Sequence, residues 1–241
     1  MGDGGVSSEA GGRPTPADAG VAALVERVAR LCESTFAAVE GLRGVAAQLF
    51  PAAGPEAVAP IADVVRPVLE TPGTPLVGAG LIVAPGVLPG VGHWMEWWHR
   101  GPGGNAAVRR LEPELDPEAD DFWDYTQLPW FAIPCATGAR HVTGPYVDAL
   151  CTTEYTLTFT IPLLSTRREF LGVVGADIVV EWLERRLLPL LHRTGRTAAL
   201  VNAENRVVAA NHPSLVTGAV TEVDAVRYPL PDLPLAVLVL P

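Results

Sequence analysis

The sequence predicts an α+β fold: a long N-terminal helix packed on an antiparallel sheet, followed by a smaller second α/β module. Three observations carry that prediction. Apolar residues over about 17–50 recur at spacings of three and four. Short strand-like runs then dominate from about 75 to 180. A second helical stretch separates them from a last, shorter set of strands.

The N-terminal stripe is Val21, Leu24, Val25, Val28, Leu31, Phe36, Val39, Leu42, Val45 and Leu49. Glu26, Arg27, Arg30, Glu33, Glu40 and Arg43 fall mostly off it, as on one amphipathic helix. "PEAVAPIADVVRPVLE" reads as a second, proline-interrupted helix over about 55–70, and Pro72-Gly73 ends the helical part. "LVGAGLIVAP" (76–85) is continuous and apolar, as in a buried strand. "HWMEWWHR" and "AAVRRLEP" flank "GPGGN" and read as a hairpin. Alternation along it puts Trp94, Glu96 and Trp98 on one side and His93, Met95 and Trp97 on the other. "EYTLTFTIPLL" (154–164) alternates Tyr155, Leu157, Phe159 and Ile161 against Thr156, Thr158 and Thr160. "EFLGVVGADIVV" (169–180) reads as another buried strand and "VEWLERRLLPLLHR" (180–193) as a helix. "TAALVNAENRVVAAN" reads as strand–turn–strand and "LPLAVLVLP" as a last strand. The expected division is a disordered tail over 1–16, a helical region over 17–74, a ligand-binding module over 75–180, a connecting helix over 181–195 and a small, truncated second module over 196–241.

Composition excludes several functions. The net charge is −10 and all 17 basic residues are arginine. Nucleic acid and anionic membrane surfaces both need a basic face, so neither is an expected partner. Cys32, Cys135 and Cys151 make an odd count without CxxC spacing, which predicts buried, reduced thiols and neither a disulfide framework nor a zinc site. The polar, glycine-rich N-terminus lacks the regions of a signal peptide, and no apolar run is long enough to span a bilayer. A cytoplasmic protein is the expectation. No phosphate loop, dinucleotide fingerprint, nucleophile elbow or HExxH motif points to an enzyme, and no cofactor is implied. A Cys–His pair from His141 with Cys135 or Cys151 needs spatial contact that spacing does not show.

"DFWDYTQLPWF" (121–131) crowds two acids and five aromatic rings into eleven residues, just after Asp120. Further on come Pro129-Trp130-Phe131, Pro145-Tyr146-Val147-Asp148, the alternating strand at 155–162, and Gly172-Val173-Val174-Gly175-Ala176-Asp177. In this order they resemble the Cache family of sensor domains, which share a PAS-like sheet. The long first helix and the small last module resemble the double form. Usual members sit between transmembrane helices, so this chain is expected to be a stand-alone version.

The resemblance implies a ligand site. Trp123, with Tyr125 as the second choice, fills the family's upstream aromatic position. Leu128 stands where amino-acid-binding members carry an arginine for the ligand carboxylate. Trp130 and Phe131 follow. Tyr146, Asp148 and Asp177 match the half that surrounds the ligand's ammonium. A carboxylate in an apolar strand needs a partner, and a cationic nitrogen among aromatic rings would be one. The expected ligand is therefore an amine without an essential α-carboxylate. At each position a structural role competes. Asp177 caps a turn or pairs with an arginine such as Arg140, Asp148 is a turn residue, and Trp130 and Phe131 are core. Asp120, Asp121 and Asp124 form a solvated loop face. Three functions follow: a small-molecule sensor that signals to another protein such as a transcription regulator, a ligand-free interaction protein with the same fold, and an enzyme. An amino-acid or carboxylate ligand is the remaining alternative for the sensor. The stripe on the first helix also allows a homodimer.

Overall fold

The computed structural model describes residues 16–101, 107–147, 150 and 154–241. Helix α1 (Pro16–Gln48) comes first, then two single 3-10 turns at 55–57 and 59–61 that lead into α2 (Ala62–Glu70). The expected helix over 55–70 is thus helical in pieces. Pro55 and Pro60 sit at the starts of the two turns, where a missing N–H costs nothing. Strands β1 (Leu76–Val83), β2 (Trp94–Arg100) and β3 (Val108–Arg110) follow, then α3 (Pro129–Thr137), β4 (His141–Val147), β5 (Tyr155–Leu164) and β6 (Phe170–Val179). Helix α4 (Val180–Arg193) leads to β7 (Ala198–Asn202), β8 (Val207–Ala210), β9 (Val226–Pro229) and β10 (Leu235–Val239).

Two antiparallel sheets result: six strands in the order β3-β2-β1-β6-β5-β4, and four in the order β8-β7-β10-β9. The long-helix, strand, helix, strand order read from the sequence is the order found. The β2–β3 pairing matches the expected hairpin; its turn, like the N-terminal tail, lies outside the described residues.

One face of the large sheet is filled by α1. Leu24, Val28, Phe36, Val39 and Leu42 are buried against Leu81, Phe159, Val174 and Ile178, and Phe36 meets Phe159 edge-on at 5.1 Å. Burying each such side chain contributes about 1.5–3 kcal/mol, so this face holds the module together. Strand alternation sends Gly78, Gly80, Val173, Gly175 and Asp177 to the opposite face, with Thr156, Thr158 and Thr160 beside them. That face is not solvated. Thr156, Thr158, Thr160 and Asp177 are all buried, because α3 and the loop leading to it cover the sheet there.

Three elements go beyond the sequence reading. Helix α3 has no amphipathic period, since "PWFAIPCAT" is apolar all round, and it contains Pro134. Pro129 at its first turn starts it, and Gly138, at φ 66°, ends it by donating its N–H to Pro134 O. Strand β4 was read only as a motif, and β9 is short and mostly exposed. The expectation of buried thiols holds for Cys32, whose pKa burial pushes up to about 12. Cys135 corrects it: this thiol is exposed on α3, and Cys151 lies outside the described residues.

Candidate functional site

The crowded aromatic segment wraps over the inner face of the large sheet. Asp124 caps the single 3-10 turn at 125–127, accepting from the Thr126 backbone N–H at 2.9 Å and from the Thr126 hydroxyl at 2.5 Å. The Thr126 hydroxyl bond holds its carboxyl below the ordinary value. Asp120 and Asp121 are exposed. The three acids therefore shape and solvate the loop, as the structural alternative had it.

The rings divide into two layers. Tyr125 is fully buried, donates its hydroxyl to Val83 O at 2.6 Å and accepts from the Trp94 backbone N–H at 3.2 Å. It pins the loop to β1 and β2. Phe131 is buried between Tyr125 and Phe170, at ring distances of 5.2 and 5.5 Å. Neither ring, both expected as ligand contacts, forms a wall of the cavity described below; they support the rings that do. Trp123 and Trp130 lie in front of them, 6.0 Å apart, and Trp130 stacks on Tyr125 at 6.5 Å.

Trp123, Leu128, Trp130 and Tyr146 share a cavity of about 760 Å³. That volume suits a small molecule. Leu128 ends the 3-10 turn and caps α3, which aims it at the cavity. The floor on one side is β4, and the far wall is the β7–β8 turn of the second module, with Asn202, Glu204 and Arg206. His141 lines the same side; burial lowers its pKa, and the nearby Glu204 charge opposes that shift. Val147 and Leu150 are exposed at the edge of the cavity.

Behind Tyr146 runs a chain of hydroxyls. Tyr146 Oη lies 2.7 Å from Thr158 Oγ1, and Thr158 Oγ1 donates to Asp177 Oδ1 at 2.6 Å. Asp177 itself is 3 % exposed and is not part of the cavity wall. Gly78 makes room for it: a Cβ there would lie 2.7 Å from Asp177 Oδ2. The hydroxyl has a single hydrogen. With Asp177 ionised, Thr158 commits that hydrogen to the carboxylate, so Tyr146 must donate to Thr158. In that arrangement the phenol oxygen has acceptor character, strengthened by a carboxylate two hydrogen bonds away along the chain.

Arg140, offered as a counter-ion for Asp177, is used elsewhere. It grips Glu33 of α1 through two nitrogens, with one contact at 2.8 Å, and lies over the Phe36 ring at 4.5 Å. Asp148 falls outside the described residues. The structure thus brings Trp123, Leu128, Trp130 and Tyr146 together, with Asp177 one hydroxyl behind. The sequence reading missed Thr158 as a link and the whole contribution of the second module. The threonine signal was present, since Thr156, Thr158 and Thr160 mark one face of β5. Among the described residues no group of three His, Cys, Asp or Glu side chains is arranged to hold a metal ion. No described helix is long and apolar enough to cross a membrane.

Residues 110–185 match the family model described as the methyl-accepting chemotaxis protein-like, first PDC sensor domain. Among curated sequences no relative matches. Solved structures share the whole two-module architecture. Methyl-accepting chemotaxis protein X is 18% identical, with a TM-score of 0.64 over 92% of this chain and 95% of that one. The ligand-binding domain of the Pseudomonas aeruginosa PAO1 amino-acid chemoreceptor PctC, in complex with GABA, is 22% identical, with a TM-score of 0.58 over 92% and 96%. The ligand-binding domain of the Pseudomonas fluorescens chemoreceptor CtaA, in complex with L-valine, is 16% identical, with a TM-score of 0.55 over 92% of each. At these identities the likeness is one of fold.

Proposed function

We propose that this chain, which carries a PDC (Cache) sensor domain over residues 110–185, binds a small molecule with a cationic nitrogen and signals to a separate protein. One observation supports this reading above the others: the Tyr146–Thr158–Asp177 hydroxyl chain points an acceptor, backed by a carboxylate, towards an aromatic cavity. A ligand ammonium donates to such an oxygen in a charge-assisted bond of about 1.5–3 kcal/mol. Trp123 and Trp130 add about 0.5–2 kcal/mol per well-placed ring through cation–π attraction. A carboxylate at the same place would meet an acceptor and the negative faces of two indoles.

A thermal-shift panel of amines, quaternary ammoniums, amino acids and carboxylates tests the proposal. A ligand present at 100 times its Kd stabilises the native chain by about 2.7 kcal/mol, which a melting curve resolves. Stabilisation by amines supports the reading; stabilisation by carboxylates alone overturns it. The reading includes a cytoplasmic location. Cell fractionation tests it, and recovery of the chain outside the cytoplasm would overturn it.

A second reading, an amino-acid ligand, is favoured by Arg206 in the far wall. Its Nη1 donates to Gly218 O at 2.6 Å, and its guanidinium has further donors for a carboxylate. Against it stands Leu128, which offers no charge to a carboxylate beside Trp130. Leu128→Arg should therefore raise affinity for α-amino acids by about tenfold, the value of one added charge-assisted bond. No gain by calorimetry would show that position 128 does not meet the ligand's carboxylate end.

A further inference from the structure

Tyr146 faces the cavity because β4 carries one extra residue. On β4, Val142 pairs with Phe159 and points to the α1 core, and Thr143 pairs with Thr158 on the inner face. Regular alternation would return Tyr146 to the core side. The register instead slips between Thr143 and Tyr146, so that Tyr146 pairs with Thr156. A one-residue bulge moves every following side chain to the other face. Here it delivers the phenol to Thr158 and the cavity. Gly144 lies in the bulge at φ 115°, where a Cβ would come within 2.5 Å of Thr156 O, so only glycine suits the position.

The bulge is held from outside its own module. Asn202, at the end of β7, donates its side-chain N–H to Gly144 O at 2.9 Å. The side-chain oxygen of Asn202 does different work, accepting from the backbone N–H groups of Glu204 and Arg206 at 3.0 and 2.8 Å and so closing the β7–β8 turn. One buried amide therefore joins the turn that walls the cavity to the bulge that aims its tyrosine.

We propose that Asn202 is a positioning residue for Tyr146, and that ligand binding and docking of the second module are coupled through the Asn202–Gly144 hydrogen bond. The coupling rests on the cationic-ligand reading only for the choice of probe. By linkage, whatever strengthens one event strengthens the other by the same factor. A ligand that fixes Tyr146 fixes the bulge and thereby secures the second module. That gives the second module a way to report an event in the first without touching the ammonium.

Asn202→Asp separates the two roles. It keeps an oxygen for Glu204 and Arg206, loses the donor, and sets a carboxylate against the Gly144 carbonyl. Asn202→Ser serves as the second variant, because its hydroxyl is too short to reach across. Amide hydrogen exchange on the full chain is the decisive readout. Both variants should speed exchange over 141–147 by about fivefold or more, the lower end of ordinary coupling. Exchange over 204–208 in Asn202→Asp should stay near the wild-type rate. In the wild type, saturating ethanolamine, a primary ammonium, should slow exchange over 198–210, and this protection should vanish in Asn202→Asp. Wild-type exchange rates over 141–147 in both variants would overturn the positioning role, and ethanolamine protection that survives Asn202→Asp would overturn the coupling. If no amine of the thermal-shift panel binds the wild type, the cationic-ligand reading fails, while the exchange over 141–147 still decides whether Asn202 positions the bulge.

Discussion

Two carboxylates are buried on opposite faces of the same sheet, each 3 % exposed, and the chain treats them differently. Glu96 on β2 is neutralised in place. Arg110 meets both its oxygens, at 3.0 and 2.9 Å, Trp94 Nε1 donates at 3.0 Å, and Arg110 stacks over the Trp94 ring. This closed unit fastens β3 to β2. Asp177 on β6 is met by Thr158, and through it by Tyr146 at a cavity wall. Burying charge is costly in both places. At Glu96 a guanidinium of the chain offsets the cost; at Asp177 the Thr158 hydroxyl donates to the carboxylate and links it to Tyr146 in the cavity wall. A buried acid clamped between two strands is architecture, whereas a buried acid hydrogen-bonded through to a pocket is a candidate for recognition.

The largest expected effect breaks the architectural side. Arg110→Met leaves Glu96 buried without its cation, and urea unfolding should show a loss of about 3 kcal/mol. An unchanged unfolding midpoint would mean that Glu96 is solvated after all. On the other face, Asp177→Asn should do the reverse. Stability should change by no more than about 1 kcal/mol, while amine affinity should fall about tenfold or more, as a charge-assisted network becomes a neutral one. A large stability loss with unchanged affinity would move Asp177 into the same class as Glu96. Thr158→Val cuts the relay between Asp177 and Tyr146. Two polar groups lose a partner, so about 1–2 kcal/mol of stability should go, with an affinity loss smaller than that of Asp177→Asn.

The smallest effect concerns pH. Burial holds the pKa of His141 below its ordinary value of 6.5, so the unfolded chain takes up a proton that the folded chain resists. Stability should be full above pH 6.5, decline as pH falls through that value, and level off below the folded pKa. His141→Gln should flatten this decline in a series of urea titrations. An equally steep decline in the variant would assign it to other groups.

The layout of the fold was legible because its helices and strands carry strong periods. The stripe on α1, the alternation on β5 and the hairpin of β2 and β3 each state which face is buried. Helix α3 was not legible, since a segment apolar on all sides has no period and its proline argues against a helix. The site was half legible. Asp177 in an apolar strand and the tryptophans announce themselves by type. Tyr125 and Phe131 have the same types but sit one layer deeper, and only the backbone path decides which ring is in front. The bulge that turns Tyr146 depends on pairing with β5, and Asn202 reaches Gly144 across 58 residues; no local pattern encodes either.

The decisive measurement compares ethanolamine, a primary ammonium, with its uncharged carbon isostere 1-propanol by calorimetry, on the wild type and on Asp177→Asn. The wild type should prefer the ammonium by about tenfold or more, and Asp177→Asn should erase the preference. Equal binding of the two probes to the wild type, or a preference that survives the loss of the carboxylate, would overturn the recognition role of Asp177.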